Sequence, residues 1–337
     1  MDDEPQRCSP GKREARLRMT LSWGLIGAGD IARRRIAPAL VELPTCTLHG
    51  VSRARADLAE SFALEFGARR WYHTWRALLD DEDIEAVYIA TPVQHHAAQA
   101  IAAAEAGKHV LCEKPMGMDV RECDGMIAAC RANDVTLGIA YYRHHYPVIE
   151  RIKEIIAEGE IGDVVLAQIN AFEWFDPPND HPRRWLIEKE AGGGPMFDFG
   201  CHRLEILVNL LGPVRRVVSS VGNVVFDRAV EDTAVAVLEH ERGARATLCV
   251  THAVREAQDT LDLFGTLGSL HVARLNDGVL RVVAGGVERM EALPPHANIH
   301  LPLIADFADA VLSGREPRVF GEIGRTVARL EELIYNC

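Results

Sequence analysis

The sequence has no uninterrupted apolar stretch of the roughly eighteen residues that a membrane-crossing helix needs, which excludes a helical span. Its eight cysteines form no C-x-x-C pair, and none sits among histidines at zinc-finger spacing. That excludes the common structural zinc modules, gives no reason to expect a metal, and points to reduced thiols in a cytoplasmic protein. Positive charge is also short: 37 Lys and Arg against 49 Asp and Glu leave a formal charge of -12, which argues against nucleic acid or an anionic membrane as partner. The densest basic segment, residues 12–18, lies in a charged stretch with almost no apolar periodicity, so residues 1–20 are expected to form a disordered tail. A secretory signal is not expected, because the first apolar run, residues 21–26, is short and leads into a glycine turn. Met19 offers an alternative start.

At 337 residues the chain exceeds what one core usually serves, so two domains are expected. Over the first half, β-branched or apolar runs at 21–26, 48–52, 86–90, 109–111 and 136–140 alternate with helical patterns at 31–43, 54–66, 93–106 and 120–133. Such alternation is the mark of a doubly wound parallel sheet. After a helical stretch at 147–158 the rhythm changes. Runs at 164–171, 214–225, 233–239, 244–252, 260–264 and 278–283 follow one another across Gly, Asp and Asn turns, which predicts an antiparallel sheet in an α+β domain. Helical spacing returns at 301–312 and 323–335. No internal repeat is visible.

The first run leads into Gly27-Ala28-Gly29-Asp30-Ile31-Ala32. A strand, a G-x-G-x-x-A turn and a helix make a phosphate site, because glycine lets the backbone approach and the helix N-terminus offers free N–H groups. At the end of the second run, where an acidic side chain would bind both ribose hydroxyls, the chain has Ser52-Arg53 and no carboxylate before Asp57. A serine and an arginine suit a 2'-phosphate, so NADP is expected, with NAD possible. Thr91 and Pro92 end another strand and belong to the same crevice, with His96 just beyond. The competing reading of His96 is a helix-capping or core histidine.

Glu113-Lys114-Pro115 follows the 109–111 run and falls in that crevice too. Partial desolvation beside another cation is expected to lower the Lys114 pKa and make it a proton donor or carbonyl polariser. Gly192-Gly193-Gly194 precedes Asp198 and His202, four residues apart; on a helix over 197–211 they would share a face, and the carboxylate would hold the imidazole. Tyr142, Arg143, His181, Arg184 and Trp185 are candidates for a substrate pocket, since polar forks and an aromatic face suit polyols.

These segments, with A-T-P-V-Q-H-H at 90–96, A-G-K-H-V-L-C-E-K-P at 106–115, Y-Y-R-H-H-Y-P at 141–147 and G-T-L-G-S at 265–269, resemble the glucose-fructose oxidoreductase and inositol dehydrogenase family, Gfo/Idh/MocA. The resemblance runs over 21–335. It implies an N-terminal Rossmann domain with a C-terminal α+β domain on an open antiparallel sheet, bound NAD or NADP, and chemistry at a hydroxyl of a sugar, cyclitol or related diol. By position, Lys114, Asp198 and His202 match the family's triad, in which the histidine is acid or base, the aspartate assists it and the lysine orients the substrate oxygen. The resemblance also implies a homodimer or higher homo-oligomer through the sheet. Two departures leave the substrate open: Arg143 is followed by His144 and His145 where a second arginine is common, and Trp185 is followed by Leu186 where several reductases have arginine.

The expected layout is thus a tail over 1–20, a dinucleotide domain over 21–142, a substrate and oligomerisation domain over 143–300, and C-terminal helices over 301–337 that pack back at the junction. The expected site comprises Gly27, Ala28, Gly29, Asp30, Ile31, Ser52, Arg53, Thr91, Pro92, His96, Glu113 and Lys114 toward NADP. Tyr142, Arg143, His181, Trp185 and His202 face the substrate, and Lys114, Asp198 and His202 do the chemistry. The rival readings are a glycosidase that uses bound NAD for transient oxidation and elimination, and a nucleotide-binding regulator without catalysis.

Overall fold

Strand β1 (Leu21–Ile26) has only one side chain that is not buried, as a strand covered on both faces by helices must. The computed structural model describes residues 20–336, so the expected tail and Met19 lie outside the described residues, apart from Thr20. Around β1 are β2 (Cys46–Ser52), β3 (Arg70–Tyr72), β4 (Ala86–Ile89), β5 (His109–Cys112) and β6 (Leu137–Ile139). They form one six-stranded sheet in the order β3-β2-β1-β4-β5-β6, with every pairing parallel. The order reverses between β1 and β4, which opens a crevice at the carboxyl ends of the two strands.

The crossovers carry α1 (Ala37–Glu42), α2 (Ala56–Phe66), α3 (Trp75–Leu79), α4 (His96–Glu105) and α5 (Val120–Ala132). The stretch expected to be one helix over 31–43 opens with a π-helical turn, Ala32–Ile36, before α1. Strand β3 and helix α3 were not expected: both are short, and β3 is mostly exposed, so neither leaves an apolar period in the sequence.

After α6 (Pro147–Ala157) come β7 (Val164–Trp174), α7 (Cys201–Leu211), β8 (Val214–Gly222), β9 (Thr233–His240), β10 (Arg245–Thr251), β11 (Ala253–Gly265), β12 (Gly268–Val272), β13 (Val279–Ala284) and β14 (Val287–Ala292). The strands form an eight-stranded sheet in the order β14-β13-β12-β11-β7-β10-β9-β8. All pairings are antiparallel except β7 with β10. Strand β9 shows the half-buried alternation: Ala234, Ala236 and Leu238 face the core, Val235 and Val237 the outside. On the covered face, Ile149, Ile152 and Ile155 of α6 and Leu204 and Leu207 of α7 join Ala167, Ile169 and Leu248 in one core. Each fully buried Leu or Ile contributes about 1.5–3 kcal/mol.

Strands β12 and β14 also escaped expectation. Edge strand β14 carries Glu288, Arg289 and Glu291, whose charges blunt an open edge and hide the apolar signal. Strand β11 starts at Ala253, seven residues before the run expected from Thr260, because an irregular register lies between Ala253 and Gln258.

Two helices close the chain, α8 (Leu301–Ser313) and α9 (Gly321–Tyr335). Phe307 of α8 packs on Trp23 of β1 with ring centroids 5.5 Å apart, and a Cβ at Gly138 would lie 2.6 Å from the Phe307 ring. Helix α9 lies along α5 and β8: Glu332 accepts from the Val120 N–H, and the Ser219 hydroxyl donates to the Ile334 carbonyl. No helix among the described residues is long and apolar enough to cross a membrane.

Candidate active site

At the end of β1 the chain turns at Gly27, where a φ of 94° and a would-be Cβ 2.7 Å from the Ala90 carbonyl oxygen both require glycine. The Gly27 and Ala28 N–H groups point at the Ser52 carbonyl, at 3.1 and 3.4 Å, which locks the turn to β2. Gly29 faces open space: no atom lies within 4 Å of where its Cβ would stand. A dinucleotide pyrophosphate fits there, against the backbone of Gly29 and Asp30 at the mouth of a helix. The Asp30 carboxylate pairs with Arg34 at the surface, 2.6 Å away. Ser52 is buried, and Arg53, half-buried, makes no ion pair among the described residues.

A cleft of about 830 Å³ starts at Gly29, Asp30 and Ile31 and passes Thr91, Pro92, His96, Glu113 and Lys114. It ends among Tyr142, Arg143, His181, Trp185, Asp198 and His202. Gly27, Ala28, Ser52 and Arg53 are not on its wall, and Arg184 donates instead to the Pro177 carbonyl. His96 is buried at the wall of the cleft. Its ring nitrogens lie 2.8 and 2.9 Å from the carbonyl oxygens of Thr91 and Pro115, and the neutral imidazole donates its one N–H to one of them. The Thr91 hydroxyl donates to Gln99 at 2.7 Å.

Glu113 is held from two sides, by the Tyr88 hydroxyl at 2.9 Å and by His300 Nε2 at 3.3 Å. Lys114 Nζ donates to the backbone carbonyl of Asp198 at 2.5 Å, bridging 84 positions of sequence. Burial draws the Lys114 ammonium down, but Cys201, Asp198, Tyr142 and Glu113 around it more than offset that, and its pKa lies above the ordinary lysine value. The expected lowering is therefore corrected: Lys114 stays charged and acts as a fixed donor.

The expected Asp198–His202 pair is also corrected. Residues Met196–Gly200 form a π-helical turn, in which bonding runs five residues back, and the Asp198 side chain finds other partners than His202. The Asp198 carboxylate turns to Arg183, at 2.9 Å, and to His252, at 3.6 Å. His202, 3% exposed, has no hydrogen-bond partner at Nδ1 and sits edge-on between the rings of Tyr141 and Tyr142, with centroids 5.7 and 4.7 Å away. Burial pushes its pKa well below the ordinary histidine value, with the charges of Lys114, Arg143 and Arg203 adding to the effect. Its resting state at neutral pH is the free base.

Several site residues were not found by sequence reasoning. Arg183, Arg203, Asp259, His252, Glu173 and His300 come from separate elements, and none carries a local motif. Arg203 was the most accessible to inference, as the direct neighbour of His202.

Residues 21–141 match the family described as "Oxidoreductase family, NAD-binding Rossmann fold", and residues 149–271 match the "GFO/IDH/MocA C-terminal domain". The chain belongs to the Gfo/Idh/MocA family. It is 30% identical to 1,5-anhydro-D-fructose reductase of Ensifer adhaerens, over 90% of this chain and 91% of the relative. It is 31% identical to trans-1,2-dihydrobenzene-1,2-diol dehydrogenase of Mus musculus, over 82% and 81%. Among solved structures, a 3-ketoreductase from Actinomadura kijaniata in complex with NADP and TDP-benzene superposes with a TM-score of 0.84 at 27% identity, covering 94% of this chain and 97% of that one. Like its relatives, this family member is an oxidoreductase with an NAD(P)-binding Rossmann sheet.

Proposed function

We propose that this enzyme transfers hydride between NADP and a hydroxyl-bearing carbon of a sugar, cyclitol or related diol. The observation that carries the reading is the single cleft that runs from the Gly29 turn to Lys114 and His202. A bound nicotinamide supplies the hydride acceptor or donor; everything else falls to the side chains. In the oxidising direction His202, a buried free base, takes the hydroxyl proton while the Lys114 ammonium steadies the oxygen as charge develops. Asp198 contributes through its carbonyl, which fixes the lysine, and through its carboxylate, which anchors Arg183.

Preference for NADP rests on Ser52 and Arg53 at the end of β2, where no carboxylate repels a 2'-phosphate. Tyr142, Arg143, His181 and Trp185 surround the substrate. The open sheet face, with Val218, Val235 and Val237 exposed, is the surface through which copies of the chain associate. A cytoplasmic setting agrees with the free thiols of Cys46, Cys112, Cys123, Cys130, Cys201 and Cys249. The deciding experiment screens aldoses, ketoses, anhydro-sugars, inositols and aromatic diols with NADP(H) and NAD(H) in parallel by nicotinamide absorbance. Turnover of a polyol with NADP is the expected result; cofactor binding without turnover of any compound overturns it.

A further inference from the structure

The far end of the cleft holds more buried positive charge than it needs to fold. Arg143 and Arg203, only 7% and 4% exposed, share one carboxylate: Asp259 accepts from Arg143 Nη1 at 3.1 Å and from Arg203 Nη2 at 2.5 Å. Arg203 Nη1 donates to the Phe199 carbonyl, and the Nε–H groups of both arginines are buried without a partner.

The other acids of the cleft are engaged elsewhere. Asp198 faces Arg183 and His252, Glu113 faces Tyr88 and His300, and Glu173 lies 3.8 Å from Arg183 and 3.9 Å from His252. None forms an ion pair with Arg143 or Arg203. Two guanidiniums on one carboxylate leave one buried cation uncompensated, an unfavourable arrangement until a ligand brings the missing anion. Against burial, which they outweigh, Tyr142 and Asp259 hold the Arg143 guanidinium up, whereas burial and then the Arg143 charge draw the Arg203 guanidinium down.

We propose that the substrate carries a carboxylate, as a sugar acid does, and that Arg143 and Arg203 bind it beside His202. The inference rests on the assignment of this cleft as the substrate site. A planar carboxylate suits two guanidiniums on the cleft wall, and its charge offsets the cations that press on His202. A neutral polyol fills the same space and brings no charge to the two guanidiniums. Binding of the acid and the readiness of the histidine to take a proton are thereby linked.

The test compares glucuronate, galacturonate and gluconate with glucose, galactose and glucitol, and with glucose 6-phosphate, at saturating NADP. The acids are expected to exceed their neutral parents in kcat/KM by about 10–100-fold, the range of one charge-assisted hydrogen-bonding group. Arg143→Gln should erase most of that margin and Arg143→Lys should restore part of it, with cofactor affinity and thermal midpoint reporting that each variant is folded. Calorimetric binding of gluconate against glucitol to the NADP-saturated protein gives a readout that needs no turnover. Equal use of acids and neutral parents overturns the inference and leaves the oxidoreductase reading intact. Gluconate bound no more tightly than glucitol, or a phosphate preferred to every acid, overturns it too. Absence of turnover on the whole panel counts against the proposed function, while the binding comparison still decides the carboxylate.

Discussion

The two ends of the cleft are built by different means. The cofactor end is backbone: Gly27, Ala28 and Gly29 shape it, with one neighbouring strand holding the turn through the Ser52 carbonyl. The substrate end is side chains brought from afar, with Arg143 meeting Asp259 across 116 positions and Arg203 meeting it across 56. A backbone cradle recognises a phosphate whatever the rest of the ligand is, whereas a set of charged side chains recognises one arrangement of charge. Lys114 is the hinge between the two, carried by the strand end of the first and bonded to the carbonyl of Asp198 in the second.

That contrast breaks most sharply at His202. His202→Ala is expected to lower kcat by about 10²–10⁴-fold, the usual weight of a positioned acid–base group. NADP affinity, followed by nicotinamide fluorescence, should hardly move. A variant as active as the parent removes His202 from the chemistry, and a matching loss of NADP binding would show that the two ends are not separate. Lys114→Ala comes next, with a fall in kcat of about 10²–10³-fold as a fixed electrostatic donor is lost. Its thermal midpoint should drop as well, since the contact with Asp198 goes.

Gly27→Val tests the other end. A side chain at φ 94° that runs into the Ala90 carbonyl costs about 1–3 kcal/mol. In cofactor affinity that is about 5–150-fold, and binding calorimetry on the folded variant should find it there, with little change in the substrate preference of whatever turnover remains. Arg53→Glu has a smaller and more selective effect: the ratio of NADP to NAD affinity should fall about 10-fold or more, because a carboxylate repels the 2'-phosphate and accepts from the ribose hydroxyls. An unchanged ratio would take Arg53 out of cofactor choice.

Acid distinguishes the ends most gently. His202 and His96 are held below the ordinary histidine pKa by burial, and His145 is pushed down to about 3 by burial and by its neighbours His144 and Arg318. Below about pH 6.5 the unfolded chain takes up protons that the native imidazoles refuse, so stability is highest above that pH and declines as pH falls. Each such histidine contributes a slope of about 1.4 kcal/mol per pH unit until its native pKa is reached. Thermal midpoints of the cofactor-free protein between pH 7.5 and 5 should show the decline, and His202→Gln should make it shallower. A flat profile would mean that His202 is solvated and charged in the native state.

Much of this was legible before folding. The glycine turn, the alternation of the first sheet, Lys114 after β5 and His202 after the three glycines all depend on neighbours in sequence, and the structure brings Lys114, Asp198 and His202 to one cleft. Where expectation failed, a local rule met a non-local partner. Residues 198 and 202 have helical spacing, but the π-helical turn between them and the competing guanidinium of Arg183 gave the carboxylate another partner. Lys114 was expected to lose basicity through burial, and the acids that prevent it arrive from another segment and from its own neighbour, Glu113.

By itself the sequence determined the succession of the longer elements, the parallel character of the first sheet and the largely antiparallel character of the second, and the place of the dinucleotide turn. Those features follow from side-chain period and glycine geometry, which act over a few residues. Only the tertiary structure decided the charge states of Lys114 and His202 and the sharing of Asp259 by Arg143 and Arg203. Desolvation and Coulomb interaction depend on distances in space, and the groups that set those distances, Arg143, Arg203, Asp259 and His300, come from four separate segments of the chain.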